Sequence, residues 1–271
     1  MKSFDRFKVT GDKSVSLADY ETNFDGEMKD QDLKKQTKKV WDDLAQLQEQ
    51  LYAESKQSVL IVLQAMDAAG KDSTIGKLTR SLNAQGCLVH SFKKPTKLEQ
   101  AHDFLWRVHA KAPANGEMTI FNRSHYEDVL VVKVHGWKSD DEIATRYQQI
   151  NQFESLLASN NTKVIKFMLN VTPEYQLDRF KRRLDNPGKN WKFNPGDLDE
   201  RKLWSDYMSA FEIALKECAT DQAPWYVVPA ENRRFRDYMI AKVIRDELQK
   251  MNPQYPEPEF DATVYTSSSI S

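Results

Sequence analysis

Val59-Leu60-Ile61-Val62-Leu63 is an unbroken apolar run, rich in β-branched residues and bounded by the polar Ser58 and Gln64. It is far shorter than the roughly 18 apolar residues of a membrane span. Its lack of alternation argues against a strand wetted on one face, so it reads as a strand buried on both sides. Similar short runs recur at 87–92, 118–121, 164–169 and 225–228, and amphipathic or charged segments at 73–83, 98–110, 139–159, 173–184, 198–218 and 234–250 fill the gaps. Buried strands alternating with helices predict a parallel sheet covered on both faces, a three-layer α/β/α fold of about five strands with one core from about 56 to 250. A chain of 271 residues is long enough to bury such a core without disulfide or metal staples.

Outside that core the pattern differs. Residues 1–25 are polar and read as irregular. Leu33, Val40, Leu44, Leu47 and Leu51 place one apolar stripe on a helix over 30–53, which is expected to pack on the parent domain because it is too short for a coiled coil. The expected division is an N-terminal arm and long helix over 1–55, the α/β domain over 56–250, and a Pro- then Ser-rich tail over 251–271. Within the domain, 185–197 (DNPGKNWKFNPGD) interrupts the alternation between two helices. It is either a lid over a site, spanning about 178–206, or a long surface connection.

Composition narrows the function classes. With 39 Lys+Arg against 40 Asp+Glu the net charge is −1, which argues against a dedicated nucleic-acid binder. Cys87 and Cys218 form no disulfide framework or zinc pattern. The opening MKSFDRFKVT lacks the apolar core of a signal peptide. A cytoplasmic protein with no membrane partner is expected. Charge is nevertheless segregated. Lys71, Lys77, Arg80, Lys93, Lys94, Lys97, Arg107 and Lys111 face only Asp72, Glu99 and Asp103 within 71–111. Arg179, Lys181, Arg182, Arg183, Lys189 and Lys192 face only Asp178 and Asp185 within 176–192. Such patches suit a polyanion, although two solvated helix faces would look the same.

The stretch 58–80, SVLIVLQAMDAAGKDSTIGKLTR, carries the chemistry. A buried strand runs into a small-residue turn, then Gly70-Lys71, then a Ser/Thr-bearing helix. A phosphate-binding loop needs that order, because converging amides and a helix N-terminus hold the anion while the lysine reaches its outer phosphates. The match to G-x-x-x-x-G-K-[ST] is imperfect: Ala65 replaces the first glycine, Asp72 follows the lysine, and Ser73 and Thr74 come later. An ordinary strand–turn–helix junction is the competing reading. Asp67 inside the loop is either a turn-capping aspartate or a group that meets Mg²⁺ or an attacking oxygen. At the end of the third predicted strand lies Ile120-Phe121-Asn122-Arg123-Ser124-His125-Tyr126-Glu127, where ligands of open α/β sheets collect. Arg123 there suits either a phosphate fork or a surface ion pair. The five His show no metal-ligand spacing, and neither G-x-S-x-G nor G-x-G-x-x-G occurs.

The runs LQAMDAAGKDSTI, NAQGCLVHSFKKPT, HDFLWR, IFNRSHYEDVLVVKVH, NWKF, DLDERKLWSDY and APWYVVPA, in this order over roughly 30–250, resemble the polyphosphate kinase 2 family. AMDAAGKD with FNRSHYE is most similar to its class III, which acts on nucleoside mono- and diphosphates. The resemblance implies a P-loop kinase-like fold with a helical lid, and transfer of the terminal phosphoryl group of inorganic polyphosphate to AMP or ADP (ATP in the reverse sense). It implies Mg²⁺ as cofactor, with Mn²⁺ as a substitute, and a homo-oligomer. It assigns Asp67, Lys71 and Arg123 to catalysis, Asp67 to the metal, and Arg179 and Arg183 to the lid. Asn122 stands where other classes typically carry aspartate. Phosphate contacts are expected from Ala68, Ala69, Gly70, Lys71, Asp72, Ser73 and Thr74, and a nucleotide or polyphosphate groove from Lys77, Arg80, Phe92, Lys93, Lys94, Asp103, Arg107, Asn122 and Lys189. The alternatives are an ATP-dependent nucleoside monophosphate kinase and a non-catalytic polyanion-binding module.

Overall fold

A computed structural model of the chain describes residues 4–9, 11, 14–261, 264–265 and 268–269. In chain order the elements are β1 (Lys8–Val9), α1 (Asp30–Glu54), β2 (Ser58–Gln64), α2 (Lys71–Leu78), β3 (Cys87–Ser91), α3 (Lys97–Gln100) and α4 (Trp106–His109). There follow β4 (Met118–Asn122), α5 (Glu127–Val134), α6 (Asp140–Ser159), β5 (Thr162–Asn170), α7 (Pro173–Leu184), α8 (Gly196–Lys202), α9 (Trp204–Cys218), β6 (Trp225–Pro229) and α10 (Arg233–Met251). The strands form one sheet in the order β1-β6-β5-β2-β4-β3. All neighbours are parallel except β1, which pairs antiparallel with β6.

The apolar run Val59–Leu63 lies in the central strand, β2. Ile61 of β2 lies opposite Ile120 of β4 on one side and Ile165 of β5 on the other. Its side chains alternate between two cores. Val59, Ile61 and Leu63 pack with residues of α1, α2 and α10, whereas Leu60 and Val62 pack with α5, α6 and α9. The sheet is therefore a middle layer between two helical layers. Because β2 feeds β3 and β4 on one side and the chain later returns to β5 and β6 on the other, the ends of β2, β4 and β5 meet at a topological switch point.

Several expectations need correction. Among the described residues the sheet has six strands and is mixed, because the arm expected to be irregular supplies β1, and Phe7 and Leu17 in that arm are buried. A two-residue strand has no periodicity to detect. The expected strand over 87–92 is an edge strand with Leu88 and Val89 exposed. The helix expected over 98–110 is two four-residue turns, α3 and α4. The helix expected over 198–218 breaks at Leu203 into α8 and α9. Helix α5 was not anticipated; its Val129, Val131, Val132 and Val134 carry strand propensity that packing overrides. The stripe of α1 does pack on the parent domain, with Leu33, Val40, Leu44 and Leu51 in the same core as β2 and α10. No described helix is long and apolar enough to cross a membrane. Residues 252–258 carry no regular structure; positions 1–3, 10, 12–13, 262–263, 266–267 and 270–271, where parts of the signal-peptide and tail expectations fall, lie outside the described residues.

Candidate active site

The loop between β2 and α2 is built by two residues with left-handed backbone. Ala68 has φ +64° and Gly70 φ +115°. The φ at position 70 favours glycine, and a Cβ there would also lie 2.2 Å from Nη1 of the buried Arg236, which would have to shift. Gly70 is the N-cap of α2 and offers no capping side chain, so the first-turn amides of the helix remain donors for an anion. Lys71, the first residue of α2, is buried and folds its ammonium back onto the carbonyl oxygens of Ala65 (2.7 Å) and Met66 (3.3 Å). Burial, with the Arg123 charge adding to it, lowers its pKa to about 8.

Arg123 follows directly on β4 and also has left-handed backbone, φ +62°. Its guanidinium forks to Asp67 Oδ1 (2.6 Å) and Glu127 Oε2 (3.0 Å). Burial alone would raise the Asp67 pKa; the Lys71 and Arg123 charges outweigh it and hold the carboxylate below its ordinary range. The Arg123 guanidinium is shifted up, chiefly by Glu127. Asn122 donates from Nδ2 to Asp72 Oδ1 (2.9 Å), so in this chain the strand-end amide meets a carboxylate on α2.

The segment after β5 closes the far wall. Thr172 caps α7, with Pro173 at its first turn. Gln176 of α7 donates to the Asp67 carbonyl (3.0 Å), and Arg201 of α8 donates to Gln176 Oε1 (3.0 Å) and to the Pro173 carbonyl (2.6 Å). Between them the turn Pro187–Lys192 brings Lys192 to 3.6 Å from Asp72 Oδ2. The side chain of Arg183 is 19% exposed, donates to the Lys192 carbonyl (3.0 Å) and lies 3.5 Å from Asp197 Oδ2. Arg182, at 62%, turns outward to Asp178.

These groups enclose a cavity of about 620 Å³ whose lining includes Asp67, Ala68, Gly70, Lys71, Asp72, Ser73, Phe92, Lys93, Asn122, Arg123, Arg179, Arg183 and Lys189. Trp191, Lys192, Asn194, Asp197 and Arg233 join them there. Cations outnumber carboxylates by more than two to one along this wall. A second cavity of about 470 Å³ adjoins it and shares Asp67, Arg123, Asn194 and Asp197. Its other walls are Leu130, Val131, Tyr207 and Phe211, with Lys94, Glu127 and Glu200.

Not every expected residue is here. Ala69 is buried and its amide is taken by the Met66 carbonyl (3.4 Å). Thr74 is buried and its hydroxyl turns to Asp237 (3.4 Å), away from the cavity, because the second turn of α2 faces α10. Lys77 is ion-paired with Asp237 and lines a separate groove with Lys38 and Arg234. Arg80 is exposed beyond the end of α2 and lines neither cavity. Arg107 is a buried strut, donating to the Lys93 carbonyl (2.7 Å) and pairing with Asp128 (3.4 Å), and Asp103 lies on a shallow surface beside Trp106. Sequence reasoning missed Gln176, Asp197, Arg233 and Arg236. Asp197 and Gln176 lie in or beside the interval read as a lid; Arg233 and Arg236 carried no local signal, since α10 reaches the loop only through the sheet order.

A phosphate-binding loop at the switch point of a mostly parallel sheet, under a helical excursion rich in cations, defines a phosphoryl-transfer class of α/β protein. A sequence profile of the Polyphosphate kinase 2 family matches residues 27–256, and the chain belongs to that family. It is 47% identical over 216 residues to an AMP/ADP-polyphosphate phosphotransferase from Meiothermus ruber, covering 80% of this chain and 81% of that one. It is 41% identical over 226 residues to an ADP-polyphosphate phosphotransferase from Rhodopseudomonas palustris, covering 79% and 78%. The structure matches a crystal structure of Polyphosphate Kinase 2 from Arthrobacter aurescens with TM-score 0.93 at 37% identity, covering 97% of this chain and 95% of the other.

Proposed function

We propose that this protein transfers the terminal phosphoryl group of inorganic polyphosphate to AMP and ADP, reversibly and with a divalent metal, Mg²⁺ first and Mn²⁺ as substitute. The observation that carries the reading is that Asp67 and Arg123 line both cavities at once. The larger, cationic cavity suits a linear polyanion. The smaller, with aromatic and aliphatic walls and acids at its edge, suits a nucleoside whose phosphate points at the shared wall. The M. ruber relative is named for polyphosphate transfer with AMP and ADP, and the R. palustris relative for the same transfer with ADP.

An acceptor phosphate oxygen attacks the terminal phosphorus, and the shortened polyphosphate leaves. Transfer of this kind needs positioning and charge neutralisation more than covalent help. Lys71, Arg123 and the amides at the start of α2 would neutralise the transferring group, with Arg179 and Arg183 engaging phosphates from the lid side. Asp67 stays ionised in this setting and would hold the metal, directly or through water, or orient the acceptor oxygen. No group of three or more carboxylate, imidazole or thiol ligands occurs among the described residues; a metal that keeps waters and substrate phosphates as most of its shell needs none. The metal would neutralise and align the phosphates. On the family resemblance we infer a cytoplasmic homo-oligomer, which size measurement in solution tests. The function is tested by incubating the protein with polyphosphate, Mg²⁺ and single nucleoside mono- or diphosphates and separating the products. Product formed only with ATP as donor would favour a nucleoside monophosphate kinase, and salt-sensitive binding without product a polyanion-binding module.

A further inference from the structure

The three residues after Arg123 enter neither cavity. Ser124, His125 and Tyr126 are fully buried, in the layer between the sheet and α6. There they meet a charged pair that the proposed reaction leaves unexplained: Glu154 of α6 and Lys166 of β5, both buried in an otherwise apolar core. Lys166 Nζ donates to Glu154 Oε2 (2.5 Å), to the Tyr126 hydroxyl (2.9 Å) and to the Cys218 carbonyl (2.7 Å). The Tyr126 hydroxyl donates to Glu154 Oε1 (2.8 Å), and His125 Nε2 lies 3.2 Å from the same oxygen. Ser124 Oγ accepts from the Tyr126 amide (3.2 Å) and from Gln64 Nε2 (3.3 Å), the last residue of β2 before the phosphate loop.

A buried ion pair contributes little net stability, since desolvating both charges offsets their attraction. What it does well is fix geometry, because each donor and acceptor must stay where its partners are. This network ties α6, β5 and the end of β2 to one short turn, and that turn begins at Arg123, whose left-handed backbone is not self-sustaining in an arginine. Resting on the role proposed above for Arg123, we propose that Ser124, Tyr126, Glu154 and Lys166 are positioning residues that hold the Arg123 turn against the phosphate loop. A displacement of about 1 Å in a transition-state contact can cost about a hundredfold in rate, so a modest slackening of this turn is visible in turnover.

The test is a set of double-mutant cycles. Tyr126→Phe removes one hydroxyl and keeps the ring; Ser124→Ala removes the hydroxyl that joins the turn to Gln64. Each is placed in the natural chain and in Arg123→Lys; kcat with polyphosphate and KM for AMP are measured well below the unfolding transition, and the melting temperature is measured separately by heating through it. Each is expected to lower kcat about tenfold, leave KM for AMP within about twofold, and cost less than about twofold more once Arg123 is already lysine. Equal fractional losses in both backgrounds, or unchanged kcat in a folded variant with a lowered melting temperature, would assign the network to stability alone and overturn the proposal. Failure of both variants to fold would do the same. If Arg123→Lys by itself keeps natural turnover, the role given to Arg123 under the proposed function is what fails, and the single variant shows this before any cycle is run.

Discussion

Lys71 is a cation held among carbonyl oxygens, and its two titration consequences run in opposite directions. Folding lowers its pKa from 10.5 to about 8. Between those values the unfolded chain binds a proton that the folded one does not, so stability in denaturant titrations should rise with pH from about 8 to 10.5 and be lost again as pH falls through about 8. Phosphate binding needs the ammonium, so kcat/KM for polyphosphate should instead fall as pH rises through about 8, and the residual activity of Lys71→Met should lack that limb. Lys71→Ala and Arg123→Ala are each expected to reduce turnover by at least about a hundredfold while circular dichroism stays unchanged; near-normal turnover in either would remove that residue from the transition state. At this scale the sequence was readable where a side chain sits beside a strand end, as for Asp67, Lys71 and Arg123. It misled where helix phase decides. Ser73 and Thr74 look equivalent in the sequence, yet only Ser73 reaches the cavity, because α2 turns the next side chain toward Asp237.

Helices α7 and α8, with the turn between them, form the element that would close on bound phosphates under the proposed function. Arg183 faces Asp197 at the cavity while Arg182 pairs outward with Asp178. Arg183→Ala should therefore cut turnover strongly, by about tenfold or more, while Arg182→Ala should change it less than about twofold, the scale of an exposed pair. Equal losses would contradict the orientation. If the segment closes on phosphates, saturating polyphosphate should also slow tryptic cleavage at Lys189. The Pro and Gly around 187–196 marked this excursion in the sequence. Helix α10 was harder to read: it carries many charges, yet nearly every residue from Phe235 to Leu248 is buried, because α1 covers its outer side and pairs such as Arg245–Asp43 satisfy the charges. An amphipathic pattern presumes a solvent face, and α10 has almost none.

Across the whole molecule a net charge of −1 conceals a cavity in which cations predominate. Attraction of a long polyanion to that wall is a sum over many partly exposed charges and is screened by salt, with a Debye length of about 8 Å at physiological ionic strength. KM for long-chain polyphosphate should therefore rise steeply between low and physiological salt, while KM for AMP should change far less if, as proposed, its nucleoside rests against the apolar walls of the second cavity. Parallel rises for both substrates would argue against separate cavities. The five long strands were legible because each is a short apolar run; the antiparallel edge was not, since Lys8 and Val9 become a strand only when β6 is there to pair with them. Strand order was likewise invisible, and it is what brings Arg233 and Arg236 to a loop more than 150 residues earlier in the chain.

Trp191 stands at the rim of the cationic cavity, 78% exposed, its indole N–H donating to the Gly188 carbonyl (3.2 Å) and Lys192 Nζ 4.9 Å from the ring centre. An indole so placed makes the enzyme its own optical probe. Its emission is expected to be that of a water-exposed indole, seen over a background from the other tryptophans, among them the exposed Trp106 and Trp137 and the enclosed Trp225, none of which lines the rim. Polyphosphate that draws Lys192 away and folds the rim inward should move the emission to shorter wavelength, on the same concentration scale as turnover. Trp191→Phe should abolish the shift, so occupancy could be followed in real time without labelling the protein or its substrate.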